Sequence, residues 1–113
     1  MKLITEKITK HELKKLSDRS FGTIIKAVID IEKKIMVIDA AMHADEESFL
    51  LQQGSKQDDL WGINIYPEET GDQMIEFDSM INVRPRLNNM TRSIENENIR
   101  KKIITIVHSL ITS

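Results

Sequence analysis

Hydrophobic and polar residues alternate most clearly along residues 74–84, and this stretch shapes the predicted fold. Odd positions from 75 to 83 are apolar except for Ser79, and the even positions are mostly polar. Because successive side chains of a strand point to opposite faces, the alternation predicts a half-buried strand. Pro85 has no N–H for a sheet ladder, so the strand is expected to end there.

Three further segments carry the residues that are typical of strands. Residues 23–31 and 35–41 are rich in Ile and Val around a short polar turn, which predicts a β-hairpin. That turn lacks an Asn-Gly signal, so a continuous helix is the alternative. Residues 60–66 predict another strand, in which Gly62 indicates a bulge or the close approach of another backbone. Together with residues 74–84, they predict an antiparallel sheet of about four strands.

Helix signals occur in three places. Thr9 begins a capping box for a short helix, which is predicted to end within residues 17–22. Asp45 is a suitable N-cap for a second helix, and residues 96–111 form a strongly amphipathic third helix. The chain is therefore predicted to be α+β. We expect the helices to pack mainly on one face of the antiparallel sheet, with the C-terminal amphipathic helix as its main cover.

Length and composition limit the class of protein. The chain has 113 residues, of which 40% are hydrophobic and 30% are charged, and we expect a single domain over residues 1–113. It contains no cysteine, which excludes a disulfide framework and a thiol nucleophile. No apolar run resembles a transmembrane helix or a signal peptide, so the expected location is the cytoplasm, without membrane partners.

Charge is unevenly distributed around a net charge of -2. Residues 35–80 carry one Lys and 11 acidic residues, whereas residues 81–113 carry six Lys or Arg and two acidic residues. The acidic middle segment and the scarcity of aromatic residues argue against nucleic-acid binding. An acidic solvated surface beside basic flanks is the ordinary interpretation, and a cation site in the middle segment or a basic partner is the functional alternative.

Arginine and asparagine residues near the end of strand 74–84 form the candidate ligand-binding surface. Its members, with two residues from the polar face of strand 60–66, are Asn82, Arg84, Arg86, Asn88, Arg92, Asn64 and Tyr66. Guanidinium groups suit the geometry of carboxylates and phosphates. The pattern therefore indicates an anionic small molecule or an acidic peptide as ligand, with no cofactor. Solvated arginines beside an ordinary strand are the simpler interpretation.

A second candidate site lies at the start of the second predicted helix. His43 and Asp45 are two positions apart and could serve as an acid–base pair or as metal ligands, with Asp78 as a further catalytic candidate. Arg84 and Arg86 would then hold an anionic substrate during hydrolysis. This reaction needs His43 close to Asp45 or Asp78 in a cleft that also contains an arginine. N-capping and the helix dipole explain acidic residues at this position without a catalytic role.

Four motifs give the chain a recognisable signature. They are His43-x-Asp45-Glu46-Glu47, Gln53-Gly54-Ser55, Leu60-Trp61-Gly62-Ile63-Asn64-x-Tyr66-Pro67 and Glu76-Phe77-Asp78-Ser79-Met80-Ile81-Asn82-Val83-Arg84-Pro85. In order and spacing they resemble a small prokaryotic family known only as a domain of unknown function. The resemblance implies a stand-alone bacterial or archaeal protein of this size, but no activity. Such proteins open the last helix with Asp-Pro where this chain has Asn96-Glu97, and Asn caps a helix equally well.

The sequence therefore leaves two functions open. A non-enzymatic binding or interaction module is favoured, because the chain has no phosphate-cradling glycine loop, nucleophile motif or metal signature. Such a module could also form a homo-oligomer. The alternative is a small hydrolytic enzyme, metal-assisted or not, that uses the His43 and Asp45 site.

Overall fold

The computed structural model describes residues 1–19 and 22–113, so Ser20 and Phe21 at the predicted end of the first helix lie outside the described residues. The strands are β1 (Lys2–Ile4), β2 (Ile8–Thr9), β3 (Ile25–Asp30), β4 (Ile35–Ile38), β5 (Leu60–Ile65), β6 (Ile75–Glu76) and β7 (Ile111–Thr112). The helices are α1 (Lys10–Arg19), α2 (His43–Gln52) and α3 (Glu97–Leu110). Among the described residues, no helix has the length and apolar character needed to cross a membrane.

An antiparallel sheet of five strands, in the order β1–β4–β3–β5–β6, forms the centre of the fold. The short strands β2 and β7 pair in parallel beside it. Side chains on one face of the sheet form the main core with α1 and α3, whereas α2 packs on the other face. The predicted α+β fold and the C-terminal helix that covers the sheet are therefore confirmed. The fifth strand is β1, which extends the predicted sheet at one edge.

The predicted hairpin is confirmed as β3 and β4, and the helical alternative is wrong. Asp30 stabilises the turn in the absence of an Asn-Gly pair. Its buried carboxylate accepts hydrogen bonds from the main-chain N–H groups of Glu32 and Lys33, both at 2.9 Å. The hydroxyl of Ser55 donates to the same carboxylate at 2.6 Å. Lys34 then takes a left-handed conformation with φ of 59°. The turn is therefore held by side-chain hydrogen bonds.

Two of the three helices begin at the predicted N-cap residue. The main-chain N–H of Glu12 donates to the Thr9 hydroxyl at 3.1 Å, and Asn96 accepts from Ile99 at the start of α3. The assignment of Asp45 as an N-cap is wrong, because α2 begins at His43 and Asp45 lies inside its first turn. A carboxylate in that turn still interacts favourably with the helix dipole.

The predicted strand 74–84 is wrong beyond its first residues, since only Ile75 and Glu76 pair with β5. The side chain of Asn82 bonds the edge of β5 further along, accepting from the Gly62 N–H at 2.8 Å and donating to the Gly62 carbonyl at 2.9 Å. Ser79 accepts from the Ile81 N–H at 3.3 Å and turns the chain. Side-chain hydrogen bonds thus replace the expected strand ladder.

Another segment lies close to Gly62, but side chains make the close contacts, not the second backbone that its place in the strand indicated. A Cβ atom at this position would lie 2.6 Å from both Cβ and Oγ of Ser79 and 3.1 Å from Cγ1 of Ile81. We expect Gly62→Ala to lower the free energy of unfolding by about 1–3 kcal/mol, the usual loss for overpacking. Urea denaturation measures this loss.

Ser79→Gly provides the matched test, because it removes two of the three crowded contacts. In a double-mutant cycle, Gly62→Ala combined with Ser79→Gly should lose less stability than the sum of the single changes. A strictly additive loss would mean that the steric contact with Ser79 is not the cause.

Candidate functional site

The segment that replaces the predicted strand is a long, fixed loop, here named the arginine loop (residues 78–92). Asn82, which is 0% exposed, anchors its first half to β5 and also donates to the Arg92 carbonyl at 3.0 Å. Asn89 anchors the second half by donating to the carbonyls of Asn82 and Ser93, both at 2.7 Å. The side-chain oxygen of Asn89 also accepts from the Glu95 N–H at 2.8 Å. Two buried amide side chains therefore fix the loop.

A small hairpin turn lies inside the arginine loop. Arg84 and Asn89 pair their main chains, and Asn88 between them is left-handed with φ of 61°. The Asn88 side chain is exposed, so the residue serves the turn, as asparagine commonly does. Sequence reasoning missed Asn89, although two consecutive asparagines are a usable turn signal.

Arg84 lies inside the protein rather than on a ligand-accessible surface. The residue is 8% exposed, and its Nη2 donates to Glu47 of α2 at 3.0 Å. Its guanidinium carbon lies 4.9 Å from the centre of the Trp61 ring, within cation–π distance. Burial lowers the pKa of Arg84, and the adjacent Glu47 carboxylate opposes that effect. Arg84 therefore joins the arginine loop to α2.

Arg86 and Arg92 are exposed, and each contacts a carboxylate. Both amino groups of Arg86 contact Asp58, and this contact lowers the pKa of the Asp58 carboxyl. Nε of Arg92 donates to Asp78 at 2.7 Å. The arginine side chains are 63% and 56% exposed in these two pairs, so both remain within reach of a partner molecule.

Three apolar residues of the same loop, Met80, Val83 and Met90, are exposed. Met80 and Met90 are more than 60% exposed, and Val83 is 37% exposed. Val83 and Met90 are the exposed neighbours of the buried residues Arg84 and Asn89, which pair their main chains. The Val83 N–H also donates to the Met80 carbonyl at 3.2 Å, so the main chains of these two residues lie close together.

His43 is buried at the start of α2 and contacts the main chain. Its Nε2 lies 2.7 Å from the Ile63 carbonyl oxygen, and burial lowers the pKa of the ring despite this contact. Asp45 is exposed, and within residues 1–19 and 22–113 no hydrogen bond joins His43 to Asp45 or Asp78. The described part of the chain also contains no group of three His, Cys, Asp or Glu side chains that could hold a metal ion.

Asn64 and Tyr66 converge on Glu76, not on the arginines. Both side chains donate to the Glu76 carboxylate, Asn64 at 2.9 Å and Tyr66 at 3.1 Å. Asn64 also donates to the Asp78 carbonyl at 3.3 Å, which links β5 to the start of the arginine loop. Asn64 therefore supports the arginine loop at its start, and Tyr66 supports the Glu76 carboxylate just before it.

Glu46, which belongs to the motif His43-x-Asp45-Glu46-Glu47, is a buried acid that was not among the predicted site residues. It is 0% exposed on α2, and one carboxyl oxygen accepts from the Ala40 N–H at 3.1 Å while the other has no partner among the described residues. Burial raises the pKa of Glu46 to about 9, so the carboxyl is protonated at neutral pH. Only its position on the buried face of α2 could have identified it.

The protonated state of Glu46 predicts a loss of stability as pH rises. Its ordinary pKa is 4.5, so between pH 4.5 and about 9 the folded state binds one more proton than the unfolded state. The free energy of unfolding should therefore fall by about 1.4 kcal/mol for each pH unit. Urea denaturation between pH 7 and 8.5 measures this slope.

Glu46→Gln is the control, because the amide keeps the shape but does not ionise. The slope should disappear in this variant. Burial of neutral His43 has the opposite dependence below pH 6.5, so the measurement is restricted to higher pH. An unchanged slope in Glu46→Gln would show that another group causes the effect.

The fold and the arginine loop define a small α+β protein with an antiparallel sheet and a fixed loop that bears arginines. Residues 2–110 match the model of a family described as a protein of unknown function, DUF5674, and the chain belongs to that family. The resemblance to an uncharacterised domain family is thereby confirmed. Comparisons with curated proteins and with solved structures give no significant match.

Proposed function

We infer that this protein is a non-enzymatic binding module that recognises an acidic segment of a partner protein through the arginine loop. The observation that carries this proposal is the exposure of three apolar side chains, Met80, Val83 and Met90, in the same loop as two exposed arginines. Exposed apolar patches with a polar rim mark many protein interfaces, where Met and Arg are enriched.

The ion pairs of Arg86 and Arg92 are compatible with such a partner. Exposed pairs contribute only about 0–1 kcal/mol, so a partner carboxylate can replace Asp58 or Asp78 at little cost. Among the described residues, the hydrogen bond of Arg92 to Asp78 is made through Nε, so its two amino groups remain for a partner. Buried Asn82 and Asn89 fix the loop beforehand, which reduces the entropy lost on binding.

The enzymatic alternative has less support. It needs His43 beside an acidic side chain in a cleft with an arginine, whereas His43 is buried against the Ile63 carbonyl. Arg84, its proposed anion clamp, is buried in a pair with Glu47. We therefore favour binding over hydrolysis.

Selection from a library of short random peptides tests the proposal. The selected peptides should combine acidic and apolar residues, and fluorescence anisotropy then gives their affinity. We expect the double variant Arg86→Gln/Arg92→Gln to bind about tenfold more weakly, and Met90→Ser to weaken binding as well.

The matched control is Lys14→Gln/Arg19→Gln, which removes the same charge from the exposed side of α1. This control should bind with unchanged affinity. Peptides without acidic residues, or equal losses in both double variants, would contradict the proposal.

A further inference from the structure

A cleft between the β3–β4 turn and α3 has the size of a small-molecule site. Its volume is about 780 Å³, within the range of ligand pockets. The residues that matter for its chemistry are Ile31, Glu32, Lys34, Lys101, Lys102 and Ile106. Three lysines against one glutamate make the lining positive in a chain whose net charge is -2.

The lysines of this cleft are less neutralised than the arginines of the arginine loop. In the part of the chain that the structure describes, neither Lys34 nor Lys102 forms an ion pair. Lys101 lies 3.6 Å from Glu97, and both side chains are at least 70% exposed, so solvent screens that contact. By contrast, all three arginines of the loop contact carboxylates. The cleft therefore keeps its positive charge available.

The walls of the cleft are fixed and partly apolar. The main-chain N–H of Ile31 donates to the Asp59 carbonyl at 3.0 Å, and the main-chain N–H of Lys34 donates to the Asp30 carbonyl at 2.8 Å. These two hydrogen bonds hold the turn in place. Ile106, which belongs to the buried face of α3, lines the cleft together with Ile31. A ligand would thus meet the half-buried Ile31 side chain and the small accessible part of Ile106, which is 5% exposed.

We propose that this cleft binds a small phosphomonoester with an apolar portion, independently of the arginine loop. Lysine ammonium groups bind phosphate as compact point charges, and a doubly charged phosphate gains more from several lysines than a carboxylate does. The two isoleucines contact the apolar portion of the ligand.

Isothermal titration calorimetry with phenyl phosphate at low ionic strength tests this site. We expect saturable binding to the wild-type protein, weakened about tenfold in Lys34→Gln/Lys102→Gln. The control is Lys14→Gln/Lys33→Gln, which removes equal charge from exposed lysines outside the cleft. Circular dichroism checks that both variants are folded.

The possible results test three points in turn: the site itself, the preference for phosphate and the role of the isoleucines. Tighter binding of phenyl phosphate than of inorganic phosphate, with loss only in the cleft variant, supports it. No binding at millimolar concentration, or equal losses in both double variants, overturns the site. Benzoate binding as tightly as phenyl phosphate overturns the assignment of phosphate. Equal affinity for phenyl phosphate and inorganic phosphate overturns the role of the isoleucines.

Discussion

Asn82→Ala is expected to lower the free energy of unfolding by about 3–5 kcal/mol, because it leaves several buried polar groups unpaired. The Asn82 side chain satisfies both the N–H and the carbonyl of Gly62, and it also donates to the Arg92 carbonyl. Each buried group that loses its partner costs about 1–3 kcal/mol. Few single substitutions in this protein would remove as many buried hydrogen bonds.

Urea denaturation at pH 7 measures this loss, with Asn98→Ala as the control. Asn98 is exposed on α3, so its replacement should change stability by less than about 0.5 kcal/mol. A loss below about 1 kcal/mol for Asn82→Ala would mean that water or a rearranged loop satisfies the Gly62 backbone. The arginine loop would then not be fixed by its buried amides.

Arg84→Ala is expected to destabilise the protein by about 3 kcal/mol, whereas Arg86→Ala should cost less than about 1 kcal/mol. The Arg84 and Glu47 side chains are 8% and 14% exposed, so removal of the arginine leaves a carboxylate unpaired in a poorly solvated place. The pair of Arg86 with Asp58 is mostly exposed, and water replaces the lost contact.

Denaturant unfolding of both arginine variants under the same conditions makes the comparison. Glu47→Gln combined with Arg84→Ala should recover part of the loss, because the unpaired charge is then gone. Similar small losses for Arg84→Ala and Arg86→Ala would contradict the assignment of Arg84 to the interior. In that case Arg84 would return to the candidate ligand surface.

Regular periodicity made most of the fold predictable. The β-branched runs of β3 and β4 favoured strands over the helical alternative, and the amphipathic pattern of α3 persists over enough residues to predict a helix. The alternation of apolar and polar residues after Glu76 did not produce a strand. The side chains of Ser79 and Asn82 provide hydrogen bonds there that compete with the sheet ladder. A pattern of apolar and polar positions does not show which side chains will form such hydrogen bonds.

The candidate site was less predictable, because its chemistry depends on distant partners. Glu47 is 37 positions from Arg84, Asp58 is 28 positions from Arg86, and Asp78 is 14 positions from Arg92. No local spacing rule indicates which arginine meets which acid, or which pair is buried. The sequence thus identified the arginine loop as rich in donors, but the separation of Arg84 from Arg86 and Arg92 required the fold.

The most direct test of the proposed binding function is to map a selected acidic peptide onto the protein by NMR chemical-shift changes. The arginine loop accounts for binding if the largest changes fall on Met80, Val83, Met90 and the side chains of Arg86 and Arg92. Changes confined to the cleft beside α3 or to the surface of α1, with the loop signals unmoved, would contradict it.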